Sequence, residues 1–189
     1  MDKPAPTIRK ARYIQGNHVI LRNAQMNDAP FIYKIRNSSQ SSPFLFPTPS
    51  LAHQQNYMRK YEIESDNAYF VICDKNNMRK GTTRLHDPSG GQCSWGSWVL
   101  HENNNPAIMI ESILLTLYYA TEVGFSKIKA MRKKENHSMK SFYSNILEIS
   151  ESYQSESICY YFLDKAKIES LMKKYKKFLP ATIEIDYKD

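Results

Sequence analysis

The chain has 189 residues, 41% of them hydrophobic, with a formal net charge of +7 and a pI near 9.2; that length builds one sizeable core, so a single domain over 1–189 is expected. Cys73, Cys93 and Cys159 share no close spacing, which argues against a zinc knuckle or a disulfide framework and suits a reducing, cytoplasmic compartment. The start "MDKPAPTIRKAR" lacks the apolar stretch of a secretion signal, and the longest apolar run, 107–120, contains Glu111 and is too short to span a bilayer.

In chain order, "HVILR" (18–22) reads as the first strand, and Asn27 or Asp28 then caps a helix that keeps Phe31, Ile32 and Ile35 at helical spacing and ends near Arg36. The stretch "NSSQSSPFLFPTPS" (37–50) is a loop whose apolar residues pack onto something, and Ser50 caps a second helix running to about Ile63. "AYFVIC", "KGTTRLHD" and "QCSWGSWVL" form an antiparallel meander, joined at "DKNN" and "PSGG" by turn formers. Asn105 is an N-cap, Pro106 suits the first helical position and Gly124 the stop, so a helix apolar on nearly every side follows and belongs against a sheet. "KIKAMRK" (127–133) is the next strand, "HSMKSFYSNI" a helix and "ICYYFLD" the last strand. Strand, buried helix, strand is a βαβ crossover that adds a parallel pair to the meander.

Basic residues cluster at Lys3 to Arg12, Lys127 to Lys140, and Lys173, Lys174, Lys176 and Lys177. They favour an anionic partner without saying which. The junction "HENNNPAI" narrows the choice. A helix start leaves amides without internal partners at the positive end of the dipole, so the segment after Asn105 can hold a phosphate, while an ordinary polar loop with a cap explains the same residues.

Downstream, "NHSMKSFY" places Asn136 seven residues before Tyr143, with Ser138 and Lys140 between them, directly after the strand that leaves the crossover helix. This spacing and the order of elements over about residues 17–163 resemble the GNAT family of acyl-CoA-dependent N-acyltransferases, with 164–189 left as a C-terminal helix and tail. Where that family has a glycine-rich pyrophosphate loop this chain has "HENNNPAI", and its usual Gly-Phe after the tyrosine helix is absent from "SNILEIS". The resemblance implies an α/β (α+β) fold: a mixed, mostly antiparallel sheet of about seven strands with helices on both faces, splayed into a V between its fourth and fifth strands, 94–101 and 127–133. It further implies acyl-CoA as co-substrate and no metal. The backbone of Trp98, Val99 and Leu100 would bond the pantetheine, with an amide near Val99 polarising the thioester carbonyl. Asn103, Asn104, Asn105, Ala107 and Ile108 would cradle the pyrophosphate, and Asn136, Ser138 and Lys140 would lie along the coenzyme. Arg132, Lys133, Lys134 or Lys140 would meet the 3'-phosphate.

An amine attacking a thioester needs a base, a stabilised oxyanion and a proton for the leaving thiolate. Tyr143 is the expected acid. His86, Asp87, His101 and Glu102 lie near strand ends; His86 is the first choice of base, Glu102 the second and a water chain the third. Trp95 and Trp98, three apart on a strand, should face opposite sides, so that one lines the pocket and the other belongs to the core.

The stretch from "KIRNSS" through "GTTRL" is similar to GNAT enzymes that modify nucleotide-linked amino sugars. That similarity implies Arg36 on a diphosphate, Asn37 and His86 near the sugar, and Phe44 or Phe46 stacked on a base or sugar face. A dTDP-linked 3-amino-3,6-dideoxyhexose is the preferred acceptor and a UDP-linked 4-amino sugar the next, with acetyl-CoA or a longer donor such as 3-hydroxybutanoyl-CoA. A protein N-terminal acyltransferase explains the same signals with a different acceptor. A nucleic-acid-binding module explains the charge alone, and the chain lacks the basic-aromatic strand motif of an RNA-recognition sheet, so neither nucleic acid nor membrane is an expected partner. Edge strands and the segment "ATIEIDYKD" make a homodimer plausible.

Overall fold

The computed structural model describes residues 5–38, 41, 43–101 and 105–188. In chain order its elements are β1 (Ala11–Gln15), β2 (Val19–Asn23), α1 (Ala29–Arg36), α2 (Leu51–Ile63), β3 (Ala68–Asp74), β4 (Arg79–Ser89), β5 (Gln92–Leu100), α3 (Pro106–Glu122), β6 (Lys127–Lys133), α4 (His137–Asn145), β7 (Tyr153–Gln154), β8 (Ile158–Asp164), α5 (Lys165–Lys174) and β9 (Glu184–Tyr187). The strands form one sheet in the order β7-β8-β6-β5-β4-β3-β2-β1-β9, in which β5 and β6 are the parallel pair and the other neighbours run antiparallel.

Nine described strands replace the expected seven or so because both ends of the chain contribute, as β1 and β9, and the two-residue β7 pairs with β8. β1 begins at the end of the first basic cluster, where Arg12 hides the strand pattern, and β9 comes from the tail that the sequence left unassigned. They pair with each other, Ile14 opposite Ile185, and Arg12 grips Asp186 at 2.8 Å across them. The tail thus extends this chain's own sheet.

Two apolar layers sandwich the sheet. Along β3 the side chains alternate: Ala68, Phe70 and Ile72 join the core under α3, while Tyr69, Val71 and Cys73 join the one under α1 and α2. α3 is the central crossover. Asn105 caps it by accepting from the Ala107 amide at 2.9 Å, Gly124 follows its end at φ +102°, and Ile113, Leu114, Leu115 and Leu117 are buried. Each such side chain stabilises the fold by about 1.5–3 kcal/mol relative to exposure.

Asp28 precedes α1 but does not cap it with its side chain. Its carboxylate instead accepts from both Arg22 terminal nitrogens, at 2.8 and 2.9 Å, and from the Gln25 amide at 2.9 Å, so a strand-to-turn ion pair replaces the expected cap. Glu111, the one charge in the apolar run, is fully buried and accepts from the amides of Asn17, His18 and Val19 at 2.5, 2.6 and 3.0 Å. It binds the β1–β2 turn to α3. Gly16 must lack a side chain there, because a Cβ would lie 2.7 Å from the Glu111 carboxyl.

The feature that positions the site is an interruption in β5. Thr82 faces Val99 and Arg84 faces Gly96, so two residues of β4 span three of β5 and one residue bulges. Ser97 carries the irregularity at φ +49°, and its carbonyl accepts from the Thr82 hydroxyl at 2.7 Å. On the other side, β5 pairs with β6 from Gln92–Lys127 to Trp95–Ala130 and no further. Gly96 to Leu100 and Met131 to Lys133 diverge.

Candidate active site

The divergence opens cavities on either side of β5. A groove of about 560 Å³ is lined by Trp98, Val99 and Leu100, by Asn136, Ser138 and Met139 at the start of α4, and by Ser41, Pro43, Phe44 and Leu45 of the loop after α1. A second cavity of about 330 Å³ is lined by Arg36, Phe44, Leu45, Phe46, Arg84, His86, Gly96, Ser97 and Met131, among others. Phe44 and Leu45 border both. Their loop crosses the mouth of the gap, held by Arg36 to the Ser97 hydroxyl (3.2 Å) and the Phe46 carbonyl (2.9 Å), and by Lys133 to the Pro43 carbonyl (3.0 Å).

His86 sits at this junction. Nδ1 is 2.7 Å from Asp87, and Nε2 lies over Gly96, where an added Cβ would approach to 3.0 Å. With Nδ1–H donated to the carboxylate, Nε2 keeps its lone pair toward the cavity. Burial, reinforced by the Arg84 guanidinium, holds its pKa below the ordinary histidine value while Asp87 pulls the other way, so the ring is neutral near pH 7. Glu102, the second candidate base, lies outside the described residues, as do Asn103 and Asn104.

The backbone reading changes in one detail. The His101 amide donates to the Lys80 carbonyl of β4 at 2.7 Å, so strand alternation turns the Val99 amide toward β4 as well. The amides that face the gap are those of Trp98 and Leu100.

Tyr143 is 3% exposed, enclosed by Trp95 and Tyr161, and its hydroxyl donates to the Met131 carbonyl at 3.3 Å, one residue past the last β5–β6 pair. Burial pushes the phenol pKa up, so it stays protonated. Both tryptophans contact the α3 side: Trp95 Nε1 donates to Thr83, itself bonded to Thr116 of α3, while Trp98 Nε1 donates to Ser112 of α3. The expected opposition fails because the extra residue at the bulge restores the same face. Trp95 is core and Trp98 lines the groove.

Asn136 caps α4, accepting from the Met139 amide at 3.1 Å and the Ser138 hydroxyl at 2.8 Å, and lines the groove. Lys140 is exposed on α4. Ala107 and Ile108 occupy the first turn of α3, but the Ala107 amide is taken by Asn105. Arg132 is withdrawn from the surface, bonded to the Tyr161 hydroxyl, two main-chain carbonyls and Glu151, so it is not open to a 3'-phosphate. Asn37 donates to the Tyr33 carbonyl at 2.9 Å and lines neither cavity. The sequence reading missed Arg84, which shares a strand face with His86, and Gln54 and Tyr57, three apart on α2; both spacings were readable, but no nearby motif marked them.

No helix among the described residues is long and apolar enough to cross a membrane, and no group of three metal-ligating side chains is found among them. The model of the acetyltransferase (GNAT) domain family matches residues 18–146, and the chain belongs to that family. It is an acyltransferase that uses an acyl-CoA. The apo structure of FdhC, described as a nucleotide-linked sugar GNAT, superposes with a TM-score of 0.76 at 27% identity, over 89% of this chain and 98% of that one. A GCN5-related N-acetyltransferase from Brucella melitensis (TM-score 0.76, 15% identity, 96% and 91% covered) and Mycobacterium smegmatis RimJ in complex with CoA-disulfide (0.70, 14%, 87% and 94%) share the fold. None of the curated proteins matches.

Proposed function

We propose that this enzyme moves an acyl group, acetyl or 3-hydroxybutanoyl, from its CoA thioester to the amino group of a nucleotide-linked amino-deoxy sugar destined for a surface polysaccharide. A dTDP-linked 3-amino-3,6-dideoxyhexose is the first choice of acceptor and a UDP-linked 4-amino sugar the second. The carrying observation is the pair of cavities meeting at Phe44 and Leu45, one lined by exposed strand backbone and the other by His86, Arg36 and Arg84. The likeness to a nucleotide-linked sugar GNAT at 27% identity over nearly all of that chain supports the choice of acceptor.

The groove fits a pantetheine arm because Trp98 and Leu100 present main-chain groups that β6 does not pair. The acyl-CoA supplies the electrophilic carbonyl and a thiolate leaving group. His86 Nε2 takes a proton from the acceptor's ammonium or from the attacking amine, with Asp87 orienting the ring through Nδ1. The Trp98 and Leu100 amides receive the charge that develops on the carbonyl oxygen. Tyr143 lines neither cavity at rest, and in the reaction its hydroxyl turns from the Met131 carbonyl to protonate the departing sulfur. The C–N bond forms as the C–S bond breaks; one proton passes from the amine nitrogen to His86 and one from Tyr143 to the sulfur, and return of the His86 proton to the phenolate through solvent leaves amide, free thiol and both residues in their starting forms.

The test is a matrix of acyl-CoAs against dTDP- and UDP-linked amino sugars and an N-terminal peptide amine, read by thiol release. Turnover confined to the nucleotide sugars supports the proposal. Turnover confined to the peptide replaces it with the N-terminal acyltransferase reading.

A further inference from the structure

Among the described residues, six buried side-chain atoms have no hydrogen-bond partner: Gln54 Nε2, Tyr57 OH, Asn67 Oδ1, Tyr69 OH, Arg84 Nε and Ser94 Oγ. Buried polar atoms are rarely left so, because each then loses water without replacement. Four of the six belong to residues lining one cavity of about 210 Å³: Gln54, Tyr57, Tyr69 and Arg84, joined there by Arg36 and Ser97 among others. Gln54 and Tyr69 are 3% and 2% exposed. Such a concentration is what a preformed polar subsite looks like before its ligand arrives.

Its chemistry is one-sided. The amide nitrogen of Gln54 and Nε of Arg84 can only donate, and both phenols can donate. Two guanidinium groups border the space and no carboxylate does. Neither Arg36 nor Arg84 is ion-paired among the described residues. The complement is an anion made of acceptor oxygens, and guanidinium forks match phosphate geometry. Thr48, His53, Ser97 and the phenol oxygens can also accept, so what favours an anion is the pair of guanidinium groups with no carboxylate beside them.

Position ties this space to the reaction. Arg36, Phe46, Arg84 and Ser97 line both it and the cavity that holds His86. The two spaces therefore adjoin across Arg36 and Arg84.

We propose that this cavity, built from Gln54 and Tyr57 of α2, Tyr69 of β3 and Arg84 of β4, is the subsite for the diphosphate of a nucleoside diphosphate-linked acceptor, and that these residues select nucleotide-linked over free amino sugars. The proposal rests on the acceptor class given above and assigns the residues that recognise it.

The experiment measures calorimetric affinities on the full chain saturated with CoA, so that the coenzyme's own diphosphate site is filled. The probes are dTDP, inorganic pyrophosphate and a free amino sugar. The variants are Tyr57→Phe/Tyr69→Phe, which removes two hydroxyls that no protein group bonds, and Arg84→Met. We expect dTDP and pyrophosphate to bind wild type, to bind about ten-fold more weakly to the double phenylalanine variant, and at least that much more weakly to Arg84→Met. CoA affinity should be unchanged in both. The melting temperature of the double phenylalanine variant should be equal to or above that of wild type, an outcome that a structural role for the hydroxyls does not produce. Affinities for dTDP and pyrophosphate within two-fold of wild type in both variants overturn the assignment, as does a free amino sugar that binds as tightly as dTDP and weakens in the same variants. Anion binding lost in the variants, together with no turnover of any nucleotide-linked amino sugar, supports the subsite and removes the acceptor proposed above. Normal turnover of nucleotide sugars by both variants keeps that acceptor and removes the subsite.

Discussion

Gly96 lies directly beneath the imidazole of His86: a Cβ at position 96 would stand 3.0 Å from Nε2, closer than side-chain carbons ordinarily approach. The glycine therefore leaves room for the nitrogen that faces the cavity shared with Ser97 and Arg84. Gly96→Ala should displace the ring and lower kcat by about ten-fold or more, since small misplacements of a positioned base are costly. Steady-state kinetics alongside thermal melting check this; full turnover would mean that Nε2 does not serve as the base.

The pH dependence follows from the same residue. If His86 is the base, its active form is neutral imidazole, and burial with the Arg84 guanidinium lowers its pKa below the ordinary value, so kcat/KM should be flat near pH 7 and fall only below about 6.5. Asp87 raises this pKa, so Asp87→Asn should move the acidic limb to lower pH and depress the plateau through lost orientation. Arg84→Met should move the limb toward neutrality. Rate profiles of the three proteins test the signs, and a wild-type limb retained in His86→Ala would exclude His86.

Tyr143→Phe removes one hydroxyl and one 3.3 Å bond to the Met131 carbonyl. Stability should fall by about 0.5–1.5 kcal/mol. Turnover should fall by about 100-fold if the phenol protonates the thiolate. CoA affinity, measured by calorimetry, should stay the same. Unchanged turnover at saturating substrates would leave Tyr143 as a core residue.

Glu111 tests how the fold is anchored rather than how it reacts. Its carboxylate accepts from three amides, and Glu111→Gln presents an amide nitrogen where only acceptors fit, so about 1–3 kcal/mol of stability should be lost. Burial raises this carboxyl's pKa against the opposing backbone bonds. A carboxyl whose folded pKa exceeds its unfolded value stabilises the fold most below the unfolded pKa, about 4.3, and loses that contribution as pH rises through the folded pKa. The stability gap between wild type and Glu111→Gln should therefore narrow from pH 4.3 upward. Denaturant melts across that range would contradict this if the gap widened.

Much of the architecture was legible in local signals. α2 ends at Ile63 and α1 at Arg36 as the caps and spacing indicate, and α3 runs between Asn105 and Gly124. The asparagine-to-tyrosine spacing located α4 and placed Asn136 on the groove beside Trp98 to Leu100. Asn105 was readable as a cap, and a cap is what its side chain is. β1 and β9 were not readable, because each is short and carries charge, and the strand character of β9, at the sheet edge, comes from pairing with β1, which itself lies between β2 and β9. The bulge at Ser97 had one mark in sequence, Gly96 inside the strand pattern beside it, a signal that does not say which residue bulges or by how much.

Sequence alone therefore determined the order of the main elements from β2 to α5, the short β7 excepted, the crossover helix, and the family to which the spacing from Asn136 to Tyr143 points. Those features depend on contacts between residues a few positions apart, where periodicity and capping are direct consequences of backbone geometry. Tertiary structure decided which amides face the gap, which tryptophan lines the groove, and that Gln54, Tyr57, Tyr69 and Arg84 share one cavity. These outcomes depend on a one-residue slip in the β4–β5 register and on packing α2 against the sheet, long-range events whose energy no short stretch of chain encodes.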